Sequence, residues 1–122
     1  MIAEKATECI EQAVCYELRN IVKKYGATYH SEHEGYAVLL EKAEEARECT
    51  DYMMNSLKGL WTSIRQDELS NFELSQVCSF ARALIEEAVQ VTAVCERFIE
   101  TVNKNTEVKS RETTYREDKT IL

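Results

Sequence analysis

The amino-acid sequence predicts an all-α fold, an antiparallel helical bundle of three long helices. The chain of 122 residues contains no proline and only three glycines, whereas a β-rich domain of this size needs many turns, which these two residues usually form. Glutamate, alanine, leucine, lysine and arginine are abundant and favour helices. The length suffices for one domain with one core. These observations exclude an all-β sandwich or barrel.

The charge and the distribution of apolar residues exclude several classes of partner. The net charge of −7 would repel a phosphate backbone, so we expect no nucleic-acid partner. No apolar run approaches the roughly 18 residues of a membrane span, and the N-terminus lacks the apolar segment of a signal peptide. The five scattered cysteines include no CxxC pair. We therefore expect reduced thiols, a cytoplasmic location and no membrane partner.

The first helix is predicted over residues 2–24, where apolar residues recur at three- and four-residue steps. Gly26 follows this segment and supplies the left-handed backbone position that commonly ends a helix. Lys23 and Lys24 lie in the last turn, where positive charge interacts favourably with the helix dipole. The apolar stripe contains Ile10, Val14, Leu18, Ile21 and Tyr25.

The second helix is predicted to begin at the capping box Ser31-x-x-Glu34 and to continue to about Gln66. Gly59 lies inside this pattern and costs about 1 kcal/mol relative to alanine. This glycine therefore marks either a kink or a close contact with another helix. The apolar series contains Leu39, Ala43, Ala46, Met53, Leu57, Leu60, Trp61 and Ile64.

The third helix is predicted from about Asn71 to Val102. Residues 104–122 are polar, mixed in charge and without apolar periodicity. We expect them to form either a tail or a short fourth helix completed by a partner chain, so the helical domain is predicted over residues 1–103. The apolar stripe contains Val77, Ala81, Leu84, Ala88, Val91, Cys95, Phe98 and Val102.

The width of the apolar stripes predicts a homo-oligomer. Trp61, Met53 and Met54 give the second helix more apolar surface than two neighbouring helices need. The simplest assembly is a two-fold dimer that pairs the second and third helices of each chain, and the alternative is a monomeric three-helix bundle. The predicted core contains Leu39, Ala43, Leu57, Trp61, Ile64, Leu84, Ala88, Cys95 and Phe98.

Carboxylates cluster on one side of the second helix. At about 100° per residue, Glu34, Glu41, Glu45 and Glu48 fall within a sector of roughly 60°. Like charges at four-residue spacing destabilise a helix unless something offsets them, and a hard cation such as Mg²⁺ would do so. The alternative is an ordinary solvated helix face, because the sector lies roughly opposite the apolar stripe.

Two segments resemble the metal-binding helices of a known superfamily. Residues 31–45, SEHEGYAVLLEKAEE, look like the start of the first metal-binding helix of MazG-like proteins, especially the short single-domain members common in phage and prophage. Residues 81–98 are similar to the later helix of the same group. The resemblance implies an all-α bundle that assembles as a dimer or tetramer and binds Mg²⁺. It also implies hydrolysis of a nucleoside triphosphate to the monophosphate and pyrophosphate.

The resemblance implies a first set of metal ligands, from an E-E-x-x-E helix. Here the motif becomes Glu41-Lys42-x-x-Glu45, in which Lys42 stands where a second glutamate is expected. A shifted match, Glu44-Glu45-x-x-Glu48, is intact but lies one turn further along the helix. The implied ligands are therefore Glu41 and Glu45, with Glu44 and Glu48 as secondary candidates.

The second implied motif, E-x-x-D, becomes Glu87-x-x-Gln90, with an amide where an aspartate is expected. Glu87 is the third implied ligand. Gln90 is a secondary one, because its amide oxygen can still reach Mg²⁺, whereas Lys42 cannot ligate a cation. The loss of two carboxylates predicts weak Mg²⁺ binding. We expect either a weakened pyrophosphohydrolase of nucleoside triphosphates or a non-catalytic structural or interaction protein that keeps the bundle.

Overall fold

The fold is all-helical, as the sequence predicts. A computed structural model describes the backbone of residues 2–121 and the side chains of residues 2–111. It contains three helices, α1 (Glu4–Tyr25), α2 (Glu32–Arg65) and α3 (Asn71–Ile121), and no strand within the described residues. Among residues 2–121, no helix has both the length and the hydropathy needed to cross a membrane.

The helix ends follow from local backbone chemistry. Gly26 ends α1 with a φ of 95°, and its N–H donates to the carbonyl of Val22, so the predicted left-handed position is confirmed. The Ser31 hydroxyl begins α2 by accepting a 3.1 Å hydrogen bond from the backbone N–H of Glu34. This bond is half of the predicted capping box, because the Glu34 carboxylate makes no return bond among the described residues.

The connection between α2 and α3 ends α2 with a Schellman motif. Asp67 takes the left-handed conformation, with a φ of 51°. The Asp67 N–H then donates to the carbonyl of Ile64 over 3.2 Å, and the Glu68 N–H donates to the carbonyl of Ser63 over 2.9 Å. The tight reversal places α2 and α3 side by side in opposite directions.

The central helix of the bundle is α3, which packs against both α1 and α2. No Cα of α1 lies within 8 Å of a Cα of α2 in the described chain. Helix α2 approaches α3 closely at Gly35, where an added Cβ would lie 2.9 Å from Cδ2 of Phe98. At Gly59, by contrast, an added Cβ would meet nothing within 4 Å. The prediction of a close helix contact at Gly59 is therefore wrong for the single chain.

The core is smaller than the apolar stripes predict, because α2 and α3 have no second layer of helices on their outer side. The fully buried apolar residues are Val14, Tyr29, Ala93 and Val94. None of the nine predicted core residues is fully buried in the single chain. Leu39, Leu84, Cys95 and Phe98 are half-buried, and Ala43, Leu57, Trp61, Ile64 and Ala88 are exposed.

The C-terminal segment differs from both sequence-based alternatives. Residues 104–121 continue α3 and form neither a tail nor a separate short helix. Leu122 lies outside the described residues. The segment contains no proline or glycine, so nothing in its local chemistry ends the helix near residue 103. The polarity of these residues predicts that they are exposed, but it does not predict whether they are helical.

Candidate functional site

Arg97 of α3 holds the loop between α1 and α2. Its Nε donates to the carbonyl of Gly26 over 3.1 Å, and its Nη2 donates to the carbonyls of Tyr25 and Thr28 over 3.2 and 3.0 Å. The guanidinium also lies 4.0 Å from the ring centroid of Tyr29, within range of a cation–π interaction. Arg97 is only 6% exposed. The N–H groups of its guanidinium thus pair with carbonyls at the end of α1 and in the loop, which have no hydrogen-bond partner within a helix.

Thr101, one turn after Arg97, completes the attachment of the loop. Its hydroxyl accepts a 2.9 Å hydrogen bond from the backbone N–H of Tyr29 and donates a 2.9 Å hydrogen bond to the carbonyl of Arg97. The Tyr29 ring meets the edge of Phe98 at a centroid distance of 6.3 Å. The loop is thus fixed to α3 by backbone, side-chain and ring contacts.

A cavity of about 530 Å³ lies between the three helices, beside this loop. Its lining residues recur three or four positions apart on each helix, so they form three levels along the bundle. The middle level is apolar, and the two end levels are polar. The middle level contains Ile21, Val38 and Val94, the loop level contains Tyr25, Tyr29, His30, Glu34 and Arg97, and the far level contains Glu17, Glu41, Lys42 and Gln90.

A carboxyl cluster lies next to the far level of the cavity. It consists of the carboxyl groups of Glu45 and Glu87 together with the ammonium group of Lys42. The Nζ of Lys42 lies 3.3 Å from Oε2 of Glu45. The carboxyl groups of Glu45 and Glu87 face each other across α2 and α3, within hydrogen-bonding reach when one of them carries a proton. In addition, the Oε2 atom of Glu87 is buried and has no hydrogen-bond partner.

The surroundings of Glu87 raise the pKa of its carboxyl. Burial raises the pKa of Glu87 above its ordinary value of 4.5, and the hydrogen bond and the negative charge of Glu45 raise this pKa further. Lys42 opposes the increase through its positive charge. The ammonium group of Lys42 therefore supplies positive charge beside the two carboxyls, where a metal ion would otherwise do so.

The structure brings four of the predicted site positions together and separates two others. Glu45 and Glu87 meet in the carboxyl cluster, and Glu41 and Gln90 line the far level of the adjacent cavity. The secondary candidates Glu44 and Glu48 are exposed and do not line this cavity. Within the described part of the chain, no group of three or more acidic, histidine or cysteine side chains is placed to hold a metal ion.

Three residues that line the cavity were not identified as functional from the sequence. Glu17 lies on α1, outside any recognised motif, and Tyr29 lies in the loop. Arg97 lies beside the predicted apolar stripe of the third helix, and the structure buries it one helical turn from Val94 and from Thr101. A charged residue on that side needs partners, but the sequence does not reveal that the partners are loop carbonyls.

Comparison of the chain with protein-family models, with curated proteins and with solved structures finds no match. The likeness to MazG-like proteins therefore rests on the two sequence segments alone. The structure adds that Glu45 of α2 and Glu87 of α3, one from each segment, face each other beside the cavity.

We predict that Glu87→Gln stabilises the protein near neutral pH. A folded-state pKa raised above the unfolded value gives a contribution to stability that is fully present below pH 4.5 and is lost as the pH rises through the folded-state pKa. Glutamine keeps a hydrogen-bond donor for Glu45 at every pH, so the variant should gain about a few tenths of a kcal/mol at pH 7 and almost nothing at pH 4.

Urea unfolding of the wild type and the variant at both pH values measures this difference. Glu8→Gln, an exposed carboxylate of α1, is the matched control and should show no such pH-dependent gain. A Glu87→Gln protein that is less stable than the wild type at pH 7, yet equal to it at pH 4, would contradict the electrostatic account.

Proposed function

We propose that this chain is a MazG-like, Mg²⁺-dependent pyrophosphohydrolase of nucleoside triphosphates with a weakened metal site. The observation that carries the proposal is the pairing of Glu45 and Glu87 beside the cavity. These residues belong to the two halves of the implied motif and lie on different helices, and their carboxyls nevertheless face each other. Glu41 and Gln90, from the same two halves, line the cavity next to them.

The donor set suits a metal ion that arrives with its nucleotide. Mg²⁺ in nucleotide sites is commonly bound by one or two protein carboxylates, while substrate phosphates and water supply the other oxygens. Glu45 and Glu87 offer such a pair, and Glu41 with the Gln90 amide oxygen offers further oxygens nearby. When bound, Mg²⁺ would neutralise charge on the triphosphate and favour attack by water on it.

The remaining residues of the site act on the nucleotide without a metal ligand role. Lys42 lines the cavity, and its flexible stem allows the ammonium to leave Glu45 and contact a phosphate oxygen. The cavity volume of about 530 Å³ lies within the range typical of small-molecule sites. Because the ammonium of Lys42 must be displaced from Glu45, we propose binding of Mg²⁺ or Mn²⁺ alone on the order of millimolar, strengthened by a bound triphosphate.

A second candidate function is a non-catalytic structural or interaction protein that keeps the bundle. The observation that favours it is the contact between Lys42 and Glu45, which places a positive charge 3.3 Å from an implied metal ligand. No group of three or more side chains that could hold a metal ion occurs among the described residues. In this alternative the carboxyl cluster contributes to the interface between α2 and α3 and has no role in catalysis.

The double variant Lys42→Glu and Gln90→Asp separates the two functions. It restores both carboxylates that the implied motifs require, so Mg²⁺-dependent release of pyrophosphate from nucleoside triphosphates should rise at least about tenfold above a slow wild-type rate. The matched control is Lys58→Glu with Gln76→Asp, which makes the same chemical changes at exposed positions of α2 and α3. The control should keep the wild-type rate.

The measurement is pyrophosphate release from the common ribo- and deoxyribonucleoside triphosphates, with Mg²⁺ and with chelator. Release by the double variant and none by the wild type would identify a degraded catalytic site. If neither protein releases pyrophosphate, and calorimetric titration with Mn²⁺ and a non-hydrolysable triphosphate gives no heat, the enzymatic proposal is wrong and the interaction protein is favoured.

We propose a cytoplasmic location and a partner set without nucleic acid, on the same grounds as from the sequence. All five cysteines are free, which agrees with a reducing compartment. The net charge of −7 opposes binding to a phosphate backbone.

We also propose that the chain forms a homodimer through one apolar face of the α2–α3 hairpin. Successive residues of an α-helix are rotated by about 100°. By this geometry, the exposed apolar residues of α2 and α3 lie on the side of the hairpin that faces away from α1. A monomer rarely exposes a contiguous apolar patch larger than a few hundred Å². The face contains Met54, Leu57, Trp61, Ile64, Leu74 and Ile85, each 38–60% exposed.

A second copy of the chain is the partner that fits this face best. Two antiparallel hairpins stacked about a two-fold axis make a four-helix bundle, in which the exposed stripes become the core. Trp61, which is 59% exposed in the single chain, would be covered by the second copy in this arrangement. We therefore propose that the dimer predicted from the sequence, which pairs the second and third helices of each chain, forms through this face.

Sedimentation equilibrium at tens of micromolar tests the dimer. The wild type should give twice the monomer mass of 14.1 kDa, and Trp61→Lys should shift the mass toward that of the monomer because it buries a charge in the interface. Tyr16→Lys is the control, since Tyr16 is a similarly exposed aromatic residue on α1. A monomeric wild type, or a Trp61→Lys protein that stays dimeric, would refute the proposed face.

A further inference from the structure

Helix α1 is held to the rest of the molecule mainly at its C-terminal end. The loop that follows α1 is fixed to α3 by Arg97 and Thr101. Val14 is the one fully buried residue of α1, and residues 4–13 are exposed throughout. A segment with so few buried contacts moves at low cost. The N-terminal half of α1 can therefore swing about the end that Arg97 holds.

The cavity gives α1 room to swing toward α2. No Cα of α1 lies within 8 Å of a Cα of α2 among the described residues, and the cavity of about 530 Å³ lies between them. The apolar middle level of this cavity includes Ile21 of α1 and Val38 of α2. Both side chains are half-buried. A closer approach of α1 would remove more of their surface from water, which is favourable.

Negative charges on the two walls of the cavity oppose this approach. Glu17 lines the cavity from α1, and Glu34 and Glu41 line it from α2. None of these three carboxylates has a hydrogen bond or an ion pair among the described residues. As α1 moves toward α2, the Glu17 carboxylate approaches the two others, and the repulsion between the unpaired charges increases.

The basic groups of the lining do not cancel this repulsion. Lys42 contacts the Glu45 carboxylate over 3.3 Å, and the guanidinium of Arg97 is bound to the carbonyls of the loop. His30 is exposed at the loop level of the cavity. The repulsion between the α1 carboxylate and those of α2 therefore remains, and it balances the gain from burying the apolar middle level.

We propose that α1 is a lid on the cavity, held open by repulsion between Glu17 and the carboxylates of Glu34 and Glu41. The pivot is the end of α1 that Arg97 holds, so the N-terminal half of the helix makes the largest movement. Neutralisation of charge in the cavity, by substitution, by salt or by a bound cation, closes the lid. Closure excludes water from the cavity, as lids over binding sites commonly do. The inference does not rest on the proposed function, because it needs neither nucleotide nor metal ion.

The distance between spin labels on α1 and α2, measured by pulsed electron paramagnetic resonance, tests the lid. Unnatural amino acids carry the labels at Gln12 and Asp51, which are both exposed, so the native cysteines stay unlabelled. Gln12 lies about 20 Å along α1 from the pivot, so a swing of about 10° changes the distance by about 3 Å. An excess of unlabelled protein restricts the measurement to single chains. A second pair, Asp51 with the exposed Thr92, reports on the α2–α3 hairpin and should not change.

Glu17→Gln is the first variant. At low salt its distance between Gln12 and Asp51 should be about 3 Å shorter than that of the wild type, because the amide carries no charge. Salt at about 1 M screens charges more than roughly 3 Å apart. It should shorten the wild-type distance toward that of the variant and leave the variant unchanged. Glu11→Gln is the matched control, since Glu11 is an exposed residue of α1 that does not line the cavity, and it should keep the wild-type distance.

Three outcomes overturn the inference. Equal distances in the wild type and Glu17→Gln at low salt would show that this carboxylate does not hold α1 open. A wild-type distance that does not respond to salt would exclude electrostatic control. An equal shift in Glu11→Gln would show that net charge alone acts. None of these results depends on pyrophosphate release, so the lid and the enzymatic proposal can fail separately.

Discussion

The arrangement of the helices depends on one buried cation, Arg97. Because α1 and α2 do not approach each other directly, their relative position is set by α3 and by the loop between them. Arg97 binds three carbonyls of that loop and lies over the Tyr29 ring. A guanidinium suits this task, since it presents five donors in a rigid plane and stays charged when buried. The cavity lies beside this contact, between α1 and the α2–α3 hairpin.

The opposite end of the cavity is governed by a balance of charges between α2 and α3. Glu45 and Glu87 face each other there, and the positive charge of Lys42 offsets part of their repulsion. Under the proposed function, Lys42 and a metal ion would compete for the same carboxyls. Under the proposed function, this competition would weaken metal binding at a site that lacks two of the carboxylates the MazG-like motifs imply. Any metal binding there would also depend on pH, because a carboxyl must lose its proton to bind a metal ion and the pKa of Glu87 is raised.

The sequence predicted those features that depend on local chemistry. Gly26 and Ser31 mark helix ends through backbone conformation and hydrogen bonding, and the structure confirms both. Helical periodicity likewise identified the three helices. The continuation of α3 to Ile121 was not predicted, because the absence of apolar periodicity reports exposure and does not report the end of a helix.

The candidate site was only partly predictable, because its parts depend on contacts between distant residues. Periodicity assigns charged residues to solvent, yet Lys42 and Glu45 are half-buried against α3 and Arg97 is buried. Such placements become favourable only when partners from another element are present. The reverse error occurred at Trp61, which periodicity assigned to the core, although a single chain has no helix to cover it.

The most direct test of this account is the free energy of unfolding of Arg97→Met, measured by urea denaturation against Arg82→Met. Methionine keeps much of the length and apolar surface of arginine but donates no hydrogen bond, so three carbonyls of the loop lose their partner. We predict a loss of about 3 kcal/mol at Arg97 and less than about 0.5 kcal/mol at Arg82, which is exposed on the same helix. Equal and small losses for both variants would show that the position of α1 does not depend on Arg97, and would contradict the account.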